Sequence, residues 1–154
     1  MSEYRKTFGK LMRTYLESVG KAPDRIQEAD DYLLDVGGRI VQIRLVAEGT
    51  MLISTMVFSN ESREENILEK QIAEFNASQL LSGGYALLVE EESGSLYVEQ
   101  ALSVTAFDAA SLAAHLADFA ARAIGCSRWY LGEVARSRRP PEADVSIQGQ
   151  LTFP

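Results

Sequence analysis

The side chains from which a catalytic site would be assembled are few and poorly spaced. His115 is the only histidine and Cys126 the only cysteine among 154 residues. A thiolate–imidazole pair must touch to share a proton. Eleven residues of helix at about 1.5 Å each would set these two about 16 Å apart. No second ligand or nucleophile accompanies His115 at a usable spacing, so it reads as a packed or half-exposed helix residue. Cys126 reads as a buried, inert thiol. A single cysteine also excludes an intrachain disulfide and any Cys-rich metal site. Carboxylates cluster at Glu64-Glu65 and at Glu90-Glu91-Glu92, where paired acids can bind a divalent ion or pass a proton. The first pair falls in the opening turn of a helix, where the macrodipole favours carboxylates. The second sits at a hairpin end, and both read as solvated surface. Gly37-Gly38 and Gly83-Gly84 belong to neither GxGxxG nor GxxxxGK[ST], so no phosphate cradle is indicated. The expectation is a protein that is not an enzyme, with no catalytic residue, no metal and no cofactor.

Composition narrows the class further. The chain is 46% hydrophobic and 24% charged with a net charge of −7. These are globular values, and the length suffices for one domain to bury a core without staples. The acidic balance argues against nucleic acid or an anionic membrane as a partner, since both need a basic footprint. No signal-peptide core opens the sequence and no apolar run approaches membrane-spanning length, so a cytoplasmic location is expected.

The elements that must carry any function can be read in order. Tyr4, Phe8, Leu11, Met12, Tyr15, Leu16 and Val19 form one stripe of a helix over about residues 3–19, ended by Gly20 with Pro23 beyond. Three strands follow, over about 31–36, 39–47 and 50–58, with Gly37-Gly38 as the first hairpin turn. In the second strand Val41, Ile43 and Leu45 alternate with Ile40, Gln42, Arg44 and Val46. The third is apolar on both faces, which fits either a central strand or a face kept for a partner. A second helix carries Ile67, Leu68, Ile72, Phe75, Gln79 and Leu80 behind a Ser62–Glu65 capping box, and Ser82-Gly83-Gly84 stops it.

A strand pair, YALLVEE and SLYVEQAL, is then joined at Ser93-Gly94. Asp108 N-caps the last helix, whose buried face is Leu112, Leu116, Phe119, Ala123 and Ile124. The spacing predicts that this helix ends between Gly125 and Gly132, with Trp129 and Tyr130 sealing one core edge. Residues 1–135 form a single domain and 136–154 a flexible tail, although the tail's VSIQGQLTF has strand character. The fold class is α+β: helix, three strands, helix, two strands, helix, with a mostly antiparallel sheet and helices packed on it.

This order resembles the class I type III secretion chaperones, the Tir-chaperone (CesT-like) family. The likeness rests on Glu74-Phe75-Asn76, the strand Gly84-Tyr85-Ala86-Leu87-Leu88-Val89, the turn Glu92-Ser93-Gly94, Leu96-Tyr97-Val98, Asp108 and Trp129. It spans about residues 4–132, and the extension after Ala135 departs from it. What the resemblance implies is a homodimer in the bacterial cytoplasm. It would bind the N-terminal chaperone-binding segment of a secreted effector, keeping it extended and secretion-competent without ATP.

An extended segment is captured by strand addition at a sheet edge and by apolar anchors in grooves. The residues expected to face the effector are Phe8, Met12, Tyr15, Leu33, Met51 and Ile53. Those expected at the dimer interface are Ile67, Phe75, Leu80, Tyr85 and Leu87. The alternative is a small α+β ligand-sensing or regulatory domain, which would enclose a pocket with convergent polar groups.

Overall fold

The computed structural model describes residues 3–47, 49–60, 66–79 and 84–139. The first apolar stripe becomes α1 (Glu3–Ser18), with Phe8, Leu11, Met12, Tyr15 and Leu16 buried. Tyr4 and Val19, the two ends of the expected stripe, are 45% and 58% exposed. Gly20 closes the helix at φ 87°, with Lys21 N–H donating to Leu16 C=O across the turn.

Three strands follow as β1 (Asp31–Val36), β2 (Arg39–Ala47) and β3 (Thr50–Phe58). Gly37 and Gly38 join β1 to β2 at φ 61° and 82°, the pair of positive angles that a two-residue type I′ turn requires. After α2 (Glu69–Gln79) come β4 (Tyr85–Val89) and β5 (Leu96–Ser103). The link between them is longer than the tight turn expected, because the strands stop at Val89 and restart at Leu96. Glu90 and Ser95 close the loop by backbone pairing, and Ser93 Oγ binds Glu90. All five strands pair antiparallel in the order β1-β2-β3-β5-β4. β3 is the central strand; its odd-numbered residues Met51 and Ile53 are buried, while Met56 on its other face is exposed.

The registers sort the strand residues into two faces. Tyr32, Leu34, Val41, Ile43, Met51, Ile53, Leu87, Leu96 and Val98 share one face and belong to the core. Across it lies α3 (Ala109–Ser137), with α1 beside it and the Phe8 ring 5.9 Å from that of Tyr32.

Asp108 caps α3 as expected, its carboxylate accepting from Ser111 N–H at 2.7 Å while Ser111 Oγ accepts from Asp108 N–H. The far end differs from expectation, since α3 runs unbroken past Gly125 and Gly132 to Ser137. Buried Cys126, Tyr130 and Val134 continue the spacing of Phe119 and Ala123. That burial outweighs the roughly 1 kcal/mol each helical glycine costs. Ile124, expected inside, is 40% exposed. Tyr130 is fully buried between Phe58, 5.0 Å away, and the start of α2, where its hydroxyl accepts from Leu68 N–H.

The expected Ser62–Glu65 capping box, Leu80 of the dimer set and the strand-like tail lie outside the described residues. Only Ile72 of α2 is buried. Phe75 stacks on Trp129 at 4.8 Å, so α2 leans on α3 and β4 while leaving much of its surface in solvent.

Candidate partner-binding surface

Among the described residues the second face of the sheet carries no helix of the core layer. Leu33 of β1, Ile40 of β2, Met56 of β3 and Leu88 of β4 all point to it, and Leu33 at 71% is the most exposed of them. Leu52 and Tyr97 fill in between as half-buried neighbours. Two adjoining shallow grooves cross this face. One, of about 240 Å³, lies among Leu33, Ile40, Met56 and Tyr97; the other, of about 340 Å³, lies among Arg44, Leu88, Tyr97 and Glu99. They meet at Gln42 and Ser54. An apolar surface of this extent, with a polar centre, is uncommon on a chain with nothing to bind.

The polar centre is tied to the sheet rather than to solvent. Gln42 Nε2 donates to Asp31 Oδ2 at 2.7 Å, and Ser54 Oγ donates to Gln42 Oε1 at 3.5 Å. Burial pushes the Glu99 carboxyl above its ordinary range, and Arg44 nearby opposes this.

The two sheet edges are not equivalent. On β4, the Asn76 side chain accepts from Leu87 N–H at 2.7 Å and donates to Leu87 C=O at 2.9 Å. One amide thus occupies the outward groups of Leu87, the middle residue of that edge strand, as a neighbouring strand would. On β1, Leu45 N–H donates to Asp30 C=O at 2.8 Å. The alternation of an antiparallel ladder then turns the backbone groups of Asp31, Leu33 and Asp35 outward. These three residues also carry their side chains on the open face. The carboxylates of Asp31 and Asp35 flank Leu33, a common guard against indiscriminate edge pairing.

The residues singled out from the sequence are placed differently from their expected roles. Phe8, Met12, Met51 and Ile53 have 0% exposure and Tyr15 has 6%, so these five are core in the folded chain. The reason is geometric: the apolar stripe of α1 and the odd-numbered residues of β3 face the same interior. Leu33 alone of the effector-facing set lies on the open surface. Of the dimer set, Ile67, Phe75 and Tyr85 are half-buried, with Arg122 stacked over the Tyr85 ring at 5.4 Å, whereas Leu87 is 1% exposed.

Sequence reasoning missed Ile40, Met56, Leu88 and Tyr97 as surface residues. Strand alternation grouped them, but a period of two does not say which face a helix will cover. His115 packs edge-on against Phe107 with Nε2 2.9 Å from Gln100 Oε1. Cys126 is buried, which raises its thiol pKa. Among the described residues no group of His, Cys, Asp and Glu is placed to hold a metal ion, and no helix is long and apolar enough to cross a membrane.

No protein-family model matches the sequence, and no curated protein matches it. Solved structures do match. The HopA1–SchA chaperone–effector complex aligns with a TM-score of 0.63 at 13% identity, over 84% of this chain and 97% of that chain. The ExsC–ExsE complex aligns with a TM-score of 0.66 at 17% identity, over 84% and 97%. The Yersinia pestis type III secretion chaperone SycH, in complex with a stable fragment of YscM2, aligns with a TM-score of 0.57 at 13% identity, over 77% and 98%. With three α-helices and one five-stranded antiparallel sheet among the described residues, and nearly the full length of those chains matched, this protein has the class I type III secretion chaperone fold.

Proposed function

We propose that the protein is a type III secretion chaperone. It binds the N-terminal segment of a secreted effector in the bacterial cytoplasm and holds it extended, with no ATP consumed. The observation that carries this reading is the asymmetry of the sheet among the described residues: Asn76 binds the outer edge of β4, whereas no described segment pairs with the outer edge of β1, which borders an apolar face. An extended client pairs its backbone with Asp31, Leu33 and Asp35 and seats alternate side chains near Ile40, Met56 and Tyr97. Capture of this kind draws its energy from burial and backbone hydrogen bonds, so nucleotide has no part in it. The HopA1–SchA chaperone–effector complex and the type III secretion chaperone SycH, which share the fold, support the assignment.

The chain works as a homodimer in this proposal. Half-buried Ile67, Phe75 and Tyr85 lie on the α2 and β4 side, opposite β1, so a second copy there leaves the client edge free.

A tagged pull-down from the native bacterium with mass spectrometry, combined with light scattering of the purified chain, tests both parts. A dimer that retains a larger protein by its N-terminal segment is the expected result. Leu33→Lys should weaken that capture about tenfold or more while leaving the fold intact, since an exposed side chain contributes to binding and not to the core. A monomer that captures no protein overturns the proposal.

A further inference from the structure

Between Arg5 and Arg13 the chain places four cations and no anion, although its net charge is −7. These residues are not scattered around α1. Arg5, Lys6, Lys10 and Arg13 line one side of a groove of about 540 Å³ whose other side is the segment before β1, including Glu28 and Asp30. The two arginines reach across it, Arg5 Nε to Asp30 Oδ1 at 2.8 Å and Arg13 to Glu28 at 3.9 Å. Lys6 and Lys10 are exposed and have no carboxylate within ion-pair distance among the described residues.

Two lysines four residues apart on a helix stand about 5–6 Å apart at Cβ. Alternate side chains of an extended strand repeat at about 6.6–7 Å on one face. An extended peptide with Glu or Asp at every second position therefore meets both ammonium groups at once. The groove adjoins the start of β1, because Asp30 lines it and Asp31 begins the strand.

We infer that the basic groove of α1 binds an acidic, extended stretch of the client, adjoining the part that pairs with β1. This rests on the chaperone reading above. The client's binding segment is then bipartite: an apolar strand over β1 and the open face, and alternating carboxylates over Lys6 and Lys10. The net charge of −7 disfavours such a stretch over the chain as a whole, so the four clustered cations of α1 are a local exception to it.

The test uses the full chain and two fluorescein-labelled peptides, (Ser-Glu)₄ and (Ser-Lys)₄, followed by anisotropy at low salt. The Glu peptide should bind more tightly than the Lys peptide and lose affinity as salt rises. Lys6→Glu with Lys10→Glu should weaken it about tenfold, two exposed ion pairs being removed and reversed. Lys6→Gln with Lys10→Gln should weaken it by a smaller factor, and circular dichroism checks that each variant is folded. Arg128→Glu with Arg139→Glu makes the same change of net charge away from the groove and should leave affinity unchanged.

A Glu peptide that binds no tighter than the Lys peptide, or an equal loss in the Arg128/Arg139 control, overturns the inference. So does undiminished capture of the natural client by the Lys6/Lys10 reversal, an outcome that leaves the chaperone reading standing. Failure of the unaltered chain to capture any client overturns the chaperone reading, and this inference with it.

Discussion

Replacing Asn76 with Ala removes both hydrogen bonds that fasten α2 to the edge of β4, at 2.7 and 2.9 Å. A buried hydrogen bond contributes about 0.5–1.5 kcal/mol net, so two amount to about 1–3 kcal/mol. The site is half-buried, and water can reach the vacated Leu87 groups, which places the expected loss toward the lower half of that range. Urea unfolding at a fixed protein concentration should show a lower midpoint with an unchanged slope. The thermal midpoint should fall by about 2–4 °C per kcal/mol for a chain of this size. Asn76→Asp sharpens the test. A carboxylate still accepts from Leu87 N–H but opposes Leu87 C=O, so it should be no more stable than the Ala variant at neutral pH. Client capture at β1 should survive both changes, because β1 and β4 are opposite edges. If Asn76→Ala unfolds at the wild-type midpoint, the amide is not what holds α2 in place. The asymmetry of the two edges would then lose its physical basis.

Other expectations follow from burial and backbone geometry. Ile53→Asp puts a carboxylate at a position with 0% exposure and should unfold the chain at a cost above about 4 kcal/mol, not block binding selectively; a folded, client-deficient variant would refute the core placement. Gly49 sits at φ 79° with the Tyr4 ring 2.6 Å from where a Cβ would stand. Gly49→Ala should therefore cost about 1–2 kcal/mol in urea unfolding, and Tyr4→Ala in the same chain should recover only the steric part. Burial raises the Glu99 carboxyl, so folding is favoured when it is protonated, and this advantage is lost as pH rises from the ordinary carboxylate range through the raised value. Glu99→Gln should flatten that part of the stability–pH curve and be more stable than wild type at neutral pH, as urea midpoints across pH would report.

Much of the architecture was legible in local sequence. The Gly37-Gly38 turn and the Asp108 cap are short-range signals that appear where expected, and alternation holds in β2 to Leu45 and in β3 to Met56, beyond which register shifts turn Phe58 to the core. Where expectation and structure parted, long-range packing was the cause. Gly125 and Gly132 mark a helix end by propensity, yet Tyr130 and Val134 are buried and carry α3 through to Ser137. Asn76 stood in the sequence only as part of a familial pattern, because its partner Leu87 is a backbone pair on another element. Met and aromatic content suggested an adaptable groove at Phe8, Met12 and Tyr15, although the same content equally suits a dense core.

By itself, then, the sequence determined the element order and the α+β class, and it supplies a single histidine and a single cysteine. Those properties depend on residue type and on neighbours within a few positions. Only the tertiary structure decided which face of each amphipathic element meets solvent. Periodicity defines two faces of a strand without ranking them, and α1 and α3 take one face of the sheet while leaving Leu33, Ile40, Met56 and Leu88 on the other. It also decided which edge stays open and gathered Lys6 and Lys10 opposite Glu28 and Asp30, since both depend on chain segments distant in sequence that fold against one another.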